Sequence, residues 1–342
     1  MSTRRSAELT DPGELVERAV AGDVRSVGRL ISLVKDGAAG LPRLLTLLAP
    51  HSGRAQVIGI TGAPGVGKST ATSALVAEFR RRGHRVGVLA VDPSSPFSGG
   101  ALLGDRIRMA EHATDPGVFV RSMASRGHLG GMSAAAPQAL RVLDAAGYDP
   151  ILIETVGVGQ SEVAVVGLAD TVVVLLAPGS GDSVQAVKAG ILEIADVFVV
   201  NKADRPDAGQ VSRQLRQLQA MAPAAAMGSA AASSAATAWT APIVRTVATE
   251  QRGMAALVTA IAEHWAYLDE SGQGARRRAA RARHEIEAIA ADTLRRRLAA
   301  DPAVDQLADR VLAGELAPHD AAAELLTRLA SPEAGLPESG EI

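Results

Sequence analysis

Gly62-Ala63-Pro64-Gly65-Val66-Gly67-Lys68-Ser69-Thr70 follows, one residue on, the apolar run Val57-Ile58-Gly59-Ile60, and this stretch decides how the chain folds. The spacing Gly-x-x-x-x-Gly-Lys-Ser is that of a phosphate-binding loop. Its glycines let the backbone curl until several N–H groups point at phosphate oxygens. The helix that starts near Lys68 adds its positive end, Lys68 reaches the β- and γ-phosphates, and Ser69 can ligate Mg²⁺. The implied ligand is a nucleoside triphosphate.

Working outward, short β-branched runs alternate with helical stretches from Gln56 to about Leu268. The strand candidates are Val57–Ile60, Val86–Val91, Val118–Val120, Ile151–Glu154, Thr171–Leu176, Val197–Asn201 and Ile243–Thr246. Several are apolar throughout, as expected of parallel strands covered by helices on both faces. The expectation is an α/β P-loop NTPase with a doubly wound, mostly parallel sheet, whose ligands sit at the carboxyl ends of the strands. Before it, apolar positions at helical spacing (Leu15, Val16, Ala19; Leu30, Ile31, Val34; Leu44, Leu45, Leu48) read as an N-terminal helical extension over 1–50, with residues 1–10 disordered. The P-loop domain is placed at 51–270. A low-complexity Ala/Ser stretch interrupts it before Trp239. After the linker-like Ser271-Gly272-Gln273-Gly274 comes a helical arm over 271–342, whose stripe Ile286, Ile289, Ala290, Leu294 and Leu298 suits burial against a second subunit. Arg276-Arg277-Arg278 and Arg295-Arg296-Arg297 read as a solvated face rather than a nucleic-acid patch.

Of 35 basic residues only four are lysines, Lys35, Lys68, Lys188 and Lys202. Surface charge here is written in arginine, so a retained lysine points to a site that needs a compact ammonium. The net charge of −2 asks for neither nucleic acid nor an anionic membrane, and the absence of cysteine excludes disulfides, thiolate catalysis and Cys-based metal sites. No run approaches the ~18 apolar residues that span a bilayer, and the N-terminus lacks a signal core; a cytoplasmic protein is expected.

Asn201-Lys202-Ala203-Asp204 stands at the end of an apolar strand, well downstream of the phosphate loop. In that setting an N-K-x-D turn reads guanine. The Asp204 carboxylate takes two N–H groups of the base edge, the Asn201 amide bonds N7 and nearby backbone, and the Lys202 stem lies along the ring. Adenine lacks the donor pair and would leave the carboxylate unpaired. Thr246-Val247-Ala248, after the next strand, can offer a backbone N–H to guanine O6.

Asp92 follows the strand Val86–Val91, Asp105 lies in Gly104-Asp105-Arg106 beyond the Gly-rich segment, and Glu154 ends a strand and opens Glu154-Thr155-Val156-Gly157, where P-loop proteins place the acid near Mg²⁺ and a glycine N–H at the γ-phosphate. Converging carboxylates repel unless a cation joins them. The plainer roles are a turn cap for Asp92 and a helix cap for Asp105. Asp182 suits a helix N-cap as well as a switch. Val158 stands where Ras-like GTPases carry the water-orienting glutamine, with Gln160 and Gln185 as neighbouring candidates, so slow unaided hydrolysis is expected.

The phosphate loop, Val91-Asp92-Pro93-Ser94-Ser95-Pro96, Gly99 to Met109, Glu154 to Glu162 and Asn201 to Asp204 together resemble the MeaB/ArgK/MMAA family of GTPases, over about Leu30 to Leu268. The resemblance implies a homodimeric GTPase chaperone of adenosylcobalamin-dependent methylmalonyl-CoA mutase that gates cofactor loading and protects the mutase. It places Lys68, Ser69, Asp92, Asp105 and Glu154 at the phosphates and Mg²⁺ of GTP or GDP, and makes Ala177 to Lys188, with Asp182, Gln185 and Lys188, an additional switch. Two departures are the long Ala/Ser stretch and the Thr246-Val247-Ala248 turn, which replaces a more serine-like pattern. The rival readings are a transport-system kinase, for which no kinase catalytic loop is present, and a metallochaperone GTPase, disfavoured by scattered histidines.

Overall fold

The computed structural model describes residues 11–38, 40–93, 109–112, 114–125, 135–155, 167–179, 192–221 and 239–330. Contacts divide the chain into a unit up to Arg283 and a unit from His284 on.

The first unit begins with three helices, α1 (Pro12–Val20), α2 (Val24–Asp36) and α3 (Leu41–Leu48). Each starts where its sequence supplies a start. Pro12 opens α1, Asp23 caps α2 by accepting from the Ser26 N–H at 3.0 Å, and Gly37 ends α2 at φ 63°, in the left-handed region. Seven strands follow: β1 (Val57–Gly62), β2 (Val86–Pro93), β3 (Val118–Ser125), β4 (Ile151–Thr155), β5 (Thr171–Leu176), β6 (Val197–Val200) and β7 (Ile243–Arg245). They form one sheet, in the order β3-β2-β4-β1-β5-β6-β7, and every pairing is parallel. The interleaved helices are α4 (Lys68–Arg81), α5 (Ala135–Ala145), α6 (Ala208–Met221) and α7 (Met254–Glu270).

Alternation along the strands builds apolar clusters on both faces of the sheet. Ile58 and Ile60 of β1, Leu152 of β4 and Val173 of β5 pack with α4 and α7 on one face. Val57 and Ile151 turn the other way, onto α5 and the three N-terminal helices, while Val172, Val174 and Leu176 face α6. Both sheet faces are thus covered, which is the physical reason the strands read as unbroken apolar runs. The expected P-loop α/β fold is the one found. β3 runs eight residues where three were expected, because its polar Arg121 and Ser122 broke the apolar pattern; at this sheet edge Arg121 reaches out to the Ser32 hydroxyl of α2 at 2.9 Å.

Five consecutive backbone N–H groups leading into β1 are held by carboxylates. Gly53, Arg54 and Ala55 donate to Asp144, Gln56 to Asp149 at 3.0 Å, and Val57 to Asp170 at 2.9 Å. The strand that feeds the phosphate loop is therefore fixed at its start as well as along its edges.

Helix α8 (Gln273–Ala300) follows α7 after two residues. Its first part belongs to the first unit, and here the reading of Arg276–Arg278 as a solvated face needs correction. Arg277 forks onto buried Asp196 at 2.8 Å through both Nη atoms, and Arg281, one turn on, pairs with buried Asp170 at 3.0 Å. Asp196 also faces the buried His264 ring at 3.2 Å. Arginine stripes four residues apart satisfy acids that precede apolar strands, which composition alone does not distinguish from a wet face.

The second unit comprises the rest of α8 with α9 (Ala303–Leu312) and α10 (Pro318–Ala330), joined by Arg310–Glu324 at 3.1 Å and Arg328–Asp301 at 3.4 Å. Ile286, Leu294 and Leu312 are exposed. Among the described residues, no helix is long and apolar enough to cross a membrane.

Candidate functional site

β1 lies between β4 and β5, where the connections change direction, and its carboxyl end runs into the phosphate loop. That is the position at which doubly wound sheets bind ligands. Gly62 sits at φ 144°, and a Cβ there would collide with the Leu175 carbonyl oxygen of the neighbouring strand. Gly67 sits at φ 93°, and a Cβ would stand 2.7 Å from Asn201 Nδ2. At these two positions the motif's glycines are a packing requirement as well as a conformational one.

Lys68 is buried, and its ammonium donates to the carbonyl oxygens of Gly62 and, at 3.1 Å, Ala63. Ser69 begins the first turn of α4 and its hydroxyl donates to Glu154, which lies near the end of β4 at 1% exposure. Hydroxyl and carboxylate oxygens brought together here are the donor types that Mg²⁺ takes, and a fully buried carboxylate is favoured by a cation beside it. Ala63, Pro64, Gly65 and Thr70 are at least partly open to solvent, whereas Val66 is buried.

Asn201 ties three segments together. Its Nδ2 donates to the Val66 carbonyl at 3.0 Å, and its Oδ1 accepts from the Thr246 hydroxyl at 3.1 Å and the Ala248 N–H at 3.2 Å. An amide nitrogen has two protons, so one donor remains. Lys202 adopts φ 55° and its ammonium donates to the Gly65 carbonyl at 2.7 Å. Asp204, two residues on, is exposed. Of the turn at Thr246–Ala248, each N–H is engaged within the protein: Thr246 with the Val200 carbonyl, Val247 with that of Arg252, and Ala248 with Asn201.

The structure thus brings Gly62 to Thr70, Glu154, Asn201 to Asp204 and Thr246 to Ala248 to one end of the sheet. Asp92 lies within β2, also at its carboxyl end, but its side chain is outside the described residues, as are Asp105, Gly157, Val158, Gln160, Asp182, Gln185 and Lys188. The N-terminal ten residues and the Ala/Ser stretch 222–238 are outside them too. Sequence reading missed the role of Asn201 as the hub between phosphate loop and base turn. It also missed the acids Asp144, Asp149, Asp170 and Asp196, though the last two each stand directly before a strand.

Comparison with known proteins adds the following. Residues 27–303 match the family model described as methylmalonyl Co-A mutase-associated GTPase MeaB. A Pyrococcus horikoshii protein named as a GTPase is 45% identical over 317 residues, covering 92% of this chain and 98% of that protein. The GTPase ArgK of Escherichia coli is 40% identical over 195 residues, 56% of this chain and 59% of that protein. The mitochondrial methylmalonic aciduria type A homolog of Caenorhabditis briggsae is 38% identical over 222 residues, 65% of this chain and 52% of that protein. A crystal structure of an LAO/AO transport system kinase shares the fold at a TM-score of 0.67 and 24% identity, covering 95% of this chain and all of that one.

Proposed function

The chain belongs to the MeaB family of methylmalonyl-CoA mutase-associated GTPases, and from that premise we propose that it is a guanine-nucleotide switch serving an adenosylcobalamin-dependent methylmalonyl-CoA mutase. It is a GTPase. The observation that carries the switch reading is the bond from Asn201 to Val66, which makes the base-reading turn and the phosphate loop one unit. A ligand that engages both ends then orders both.

In this reading Gly62 to Thr70 wrap the phosphates, and Lys68 leaves the carbonyls of Gly62 and Ala63 for the β/γ-phosphate oxygens. Asp204 takes the guanine N–H pair, Asn201 uses its remaining donor on N7, and Lys202 lies along the ring. The turn at Thr246–Ala248 acts through Asn201, which it holds, rather than by the expected backbone N–H to guanine O6, since its three N–H groups are already engaged. Ser69, Asp92, Asp105 and Glu154 hold Mg²⁺, which when bound neutralises phosphate charge. Gly157 meets the γ-phosphate. Unaided hydrolysis is slow, because Val158 cannot orient water.

Asp182, Gln185 and Lys188 form the segment that reports nucleotide state to the mutase, gating its cofactor loading and protecting it from inactivation. The protein works as a homodimer, its exposed Ile286, Leu294 and Leu312 suiting a subunit contact. The test is co-sedimentation with methylmalonyl-CoA mutase in GDP and in a non-hydrolysable GTP analogue. A complex whose affinity differs between the two nucleotides is expected, and equal affinity in both, or no complex, would refute the switch reading.

A further inference from the structure

Asp170 and Asp196 are one device used twice. Each stands directly before a strand, β5 and β6 in turn, and each exchanges two hydrogen bonds with the strand alongside. Asp170 donates its N–H to the Val57 carbonyl at 2.8 Å and accepts the Val57 N–H on its carboxylate at 2.9 Å. Asp196 does the same with Val172, at 2.9 and 2.8 Å. At their amino ends β1 is thereby stitched to β5, and β5 to β6. Both acids are buried, and the first turns of α8 complete both of them. Arg277 spans the two stitches, donating to the Asp196 carboxylate and, at 2.6 Å, to the Asp170 carbonyl. Arg281 donates to the Asp170 carboxylate at 3.0 Å and to the Leu168 carbonyl at 2.6 Å.

The same three strands end at the nucleotide site. The five steps from Val57 to Gly62 carry β1 about 17 Å, into the phosphate loop, and β6 ends at Asn201. At that end the strands are again tied. Gly62 lies too close to the Leu175 carbonyl of β5 to carry a Cβ, the Asn201 N–H donates to the Leu176 carbonyl at 2.8 Å, and Asn201 Nδ2 holds Val66. The block of β1, β5 and β6 is therefore fastened at one end by α8 and finishes at the other in the two loops that a guanine nucleotide joins.

An acid buried without its cation is strongly disfavoured, so the root of α8 has two discrete states, docked with both acids satisfied or released. Release loosens the three strands, and a nucleotide then has more motion to freeze when it joins the two loops. We propose that Arg277 and Arg281 are positioning residues for the nucleotide site, acting through Asp196 and Asp170, so that docking of the α8 root and nucleotide binding strengthen each other. The coupling is reciprocal: a released root weakens nucleotide binding, and bound nucleotide tightens the root. This rests on the reading of Gly62 to Thr70 and Asn201 to Asp204 as the guanine-nucleotide site.

The test uses the full chain and two readouts: the release rate of a fluorescent GDP, and hydrogen exchange of the backbone amides of 273–283 with and without GDP. In the parent, GDP is expected to slow exchange across 273–283. Arg281→Met is expected to release GDP roughly five- to tenfold faster, the lower end of the coupling usual between separate sites, and to lose that slowing. Arg281→Lys keeps a charge for Asp170 without the fork that also reaches Leu168, so a smaller change in the same direction is expected. It serves in place of the methionine variant should that one not fold. Asp144→Ala is the control, since it weakens the fold without touching either acid, and its GDP release is expected to match the parent's. Exchange at 273–283 that GDP leaves unchanged overturns the proposal. So does GDP release from Arg281→Met that is no faster than from Asp144→Ala. A parent that binds no GDP would instead refute the site assignment, and this proposal with it.

Discussion

Asn201 Nδ2 and the Val66 carbonyl oxygen are 3.0 Å apart, so a residue at the end of β6 holds the phosphate loop that follows β1. Together with the bond from Lys202 to Gly65, it shows that two loops separated by more than a hundred residues share one framework. Asn201→Ala strands the Val66 carbonyl, the Thr246 hydroxyl and the Ala248 N–H, all in a buried setting. At about 1–3 kcal/mol for a buried group left unpaired, GDP affinity measured by calorimetry should fall roughly five-fold to 150-fold. An affinity within twofold of the parent would refute the hub role.

Lys68 rests on carbonyl oxygens of its own loop, ready to be drawn to a phosphate. Lys68→Ala should lower the rate of phosphate release from GTP by about a hundredfold or more, the usual scale for one preorganised charge donor. Lys68→Arg should not restore it, since the planar fork is too large for a pocket shaped around an ammonium. Full activity in either variant would contradict this assignment.

Far from the nucleotide end, Arg277 and Asp196 make a buried, two-pronged ion pair. Burial alone would raise the Asp196 carboxyl, but hydrogen bonds from Arg277 and His264 outweigh it and hold the group below the usual carboxylate range. Because the folded value lies below the unfolded one near 3.9, this stability is complete above that value and is lost as pH falls through the folded one. Arg277→Met should cost about 3–5 kcal/mol by leaving the carboxylate buried without its partner. The gap in melting temperature between variant and parent should be widest near neutral pH and narrow on acidification, because without Arg277 the Asp196 carboxyl is no longer held as low in the folded state. Superimposable melting curves would show that the pair adds nothing.

Asp144 accepts the N–H groups of Gly53, Arg54 and Ala55 ahead of β1. Asp144→Ala should destabilise the fold by about 1–3 kcal/mol, read as a shift in the urea midpoint with the slope unchanged. Nucleotide affinity in the folded protein should stay as it was. A variant as stable as the parent would mean that water replaces the carboxylate at no cost.

The sheet was legible because its strands are buried on both faces, and continuous runs such as Thr171–Leu176 leave no other reading. The phosphate loop and the base turn were legible because their chemistry demands particular residues at fixed spacing. What the sequence hid was long-range satisfaction. Nothing local in Asp144 or Asp196 says that one will hold the segment leading into β1 and the other an arginine from α8. Likewise, Arg277 and Arg281 look like any exposed arginines until the acids that meet them are placed. Ser73 and His112 are 39 residues apart and match no motif, so only the packing of the turn at Ala110–His112 against α4 brings them together.

The central claim is that nucleotide state in this chain is coupled to a mutase. Its most direct measure is the single-turnover rate of GTP hydrolysis at saturating Mg²⁺, with and without an adenosylcobalamin-dependent methylmalonyl-CoA mutase. The account predicts slow hydrolysis alone and an acceleration of at least about tenfold with the mutase, well short of what an added transition-state charge can supply. A rate that is already fast alone, or one that the mutase leaves unchanged, would contradict it.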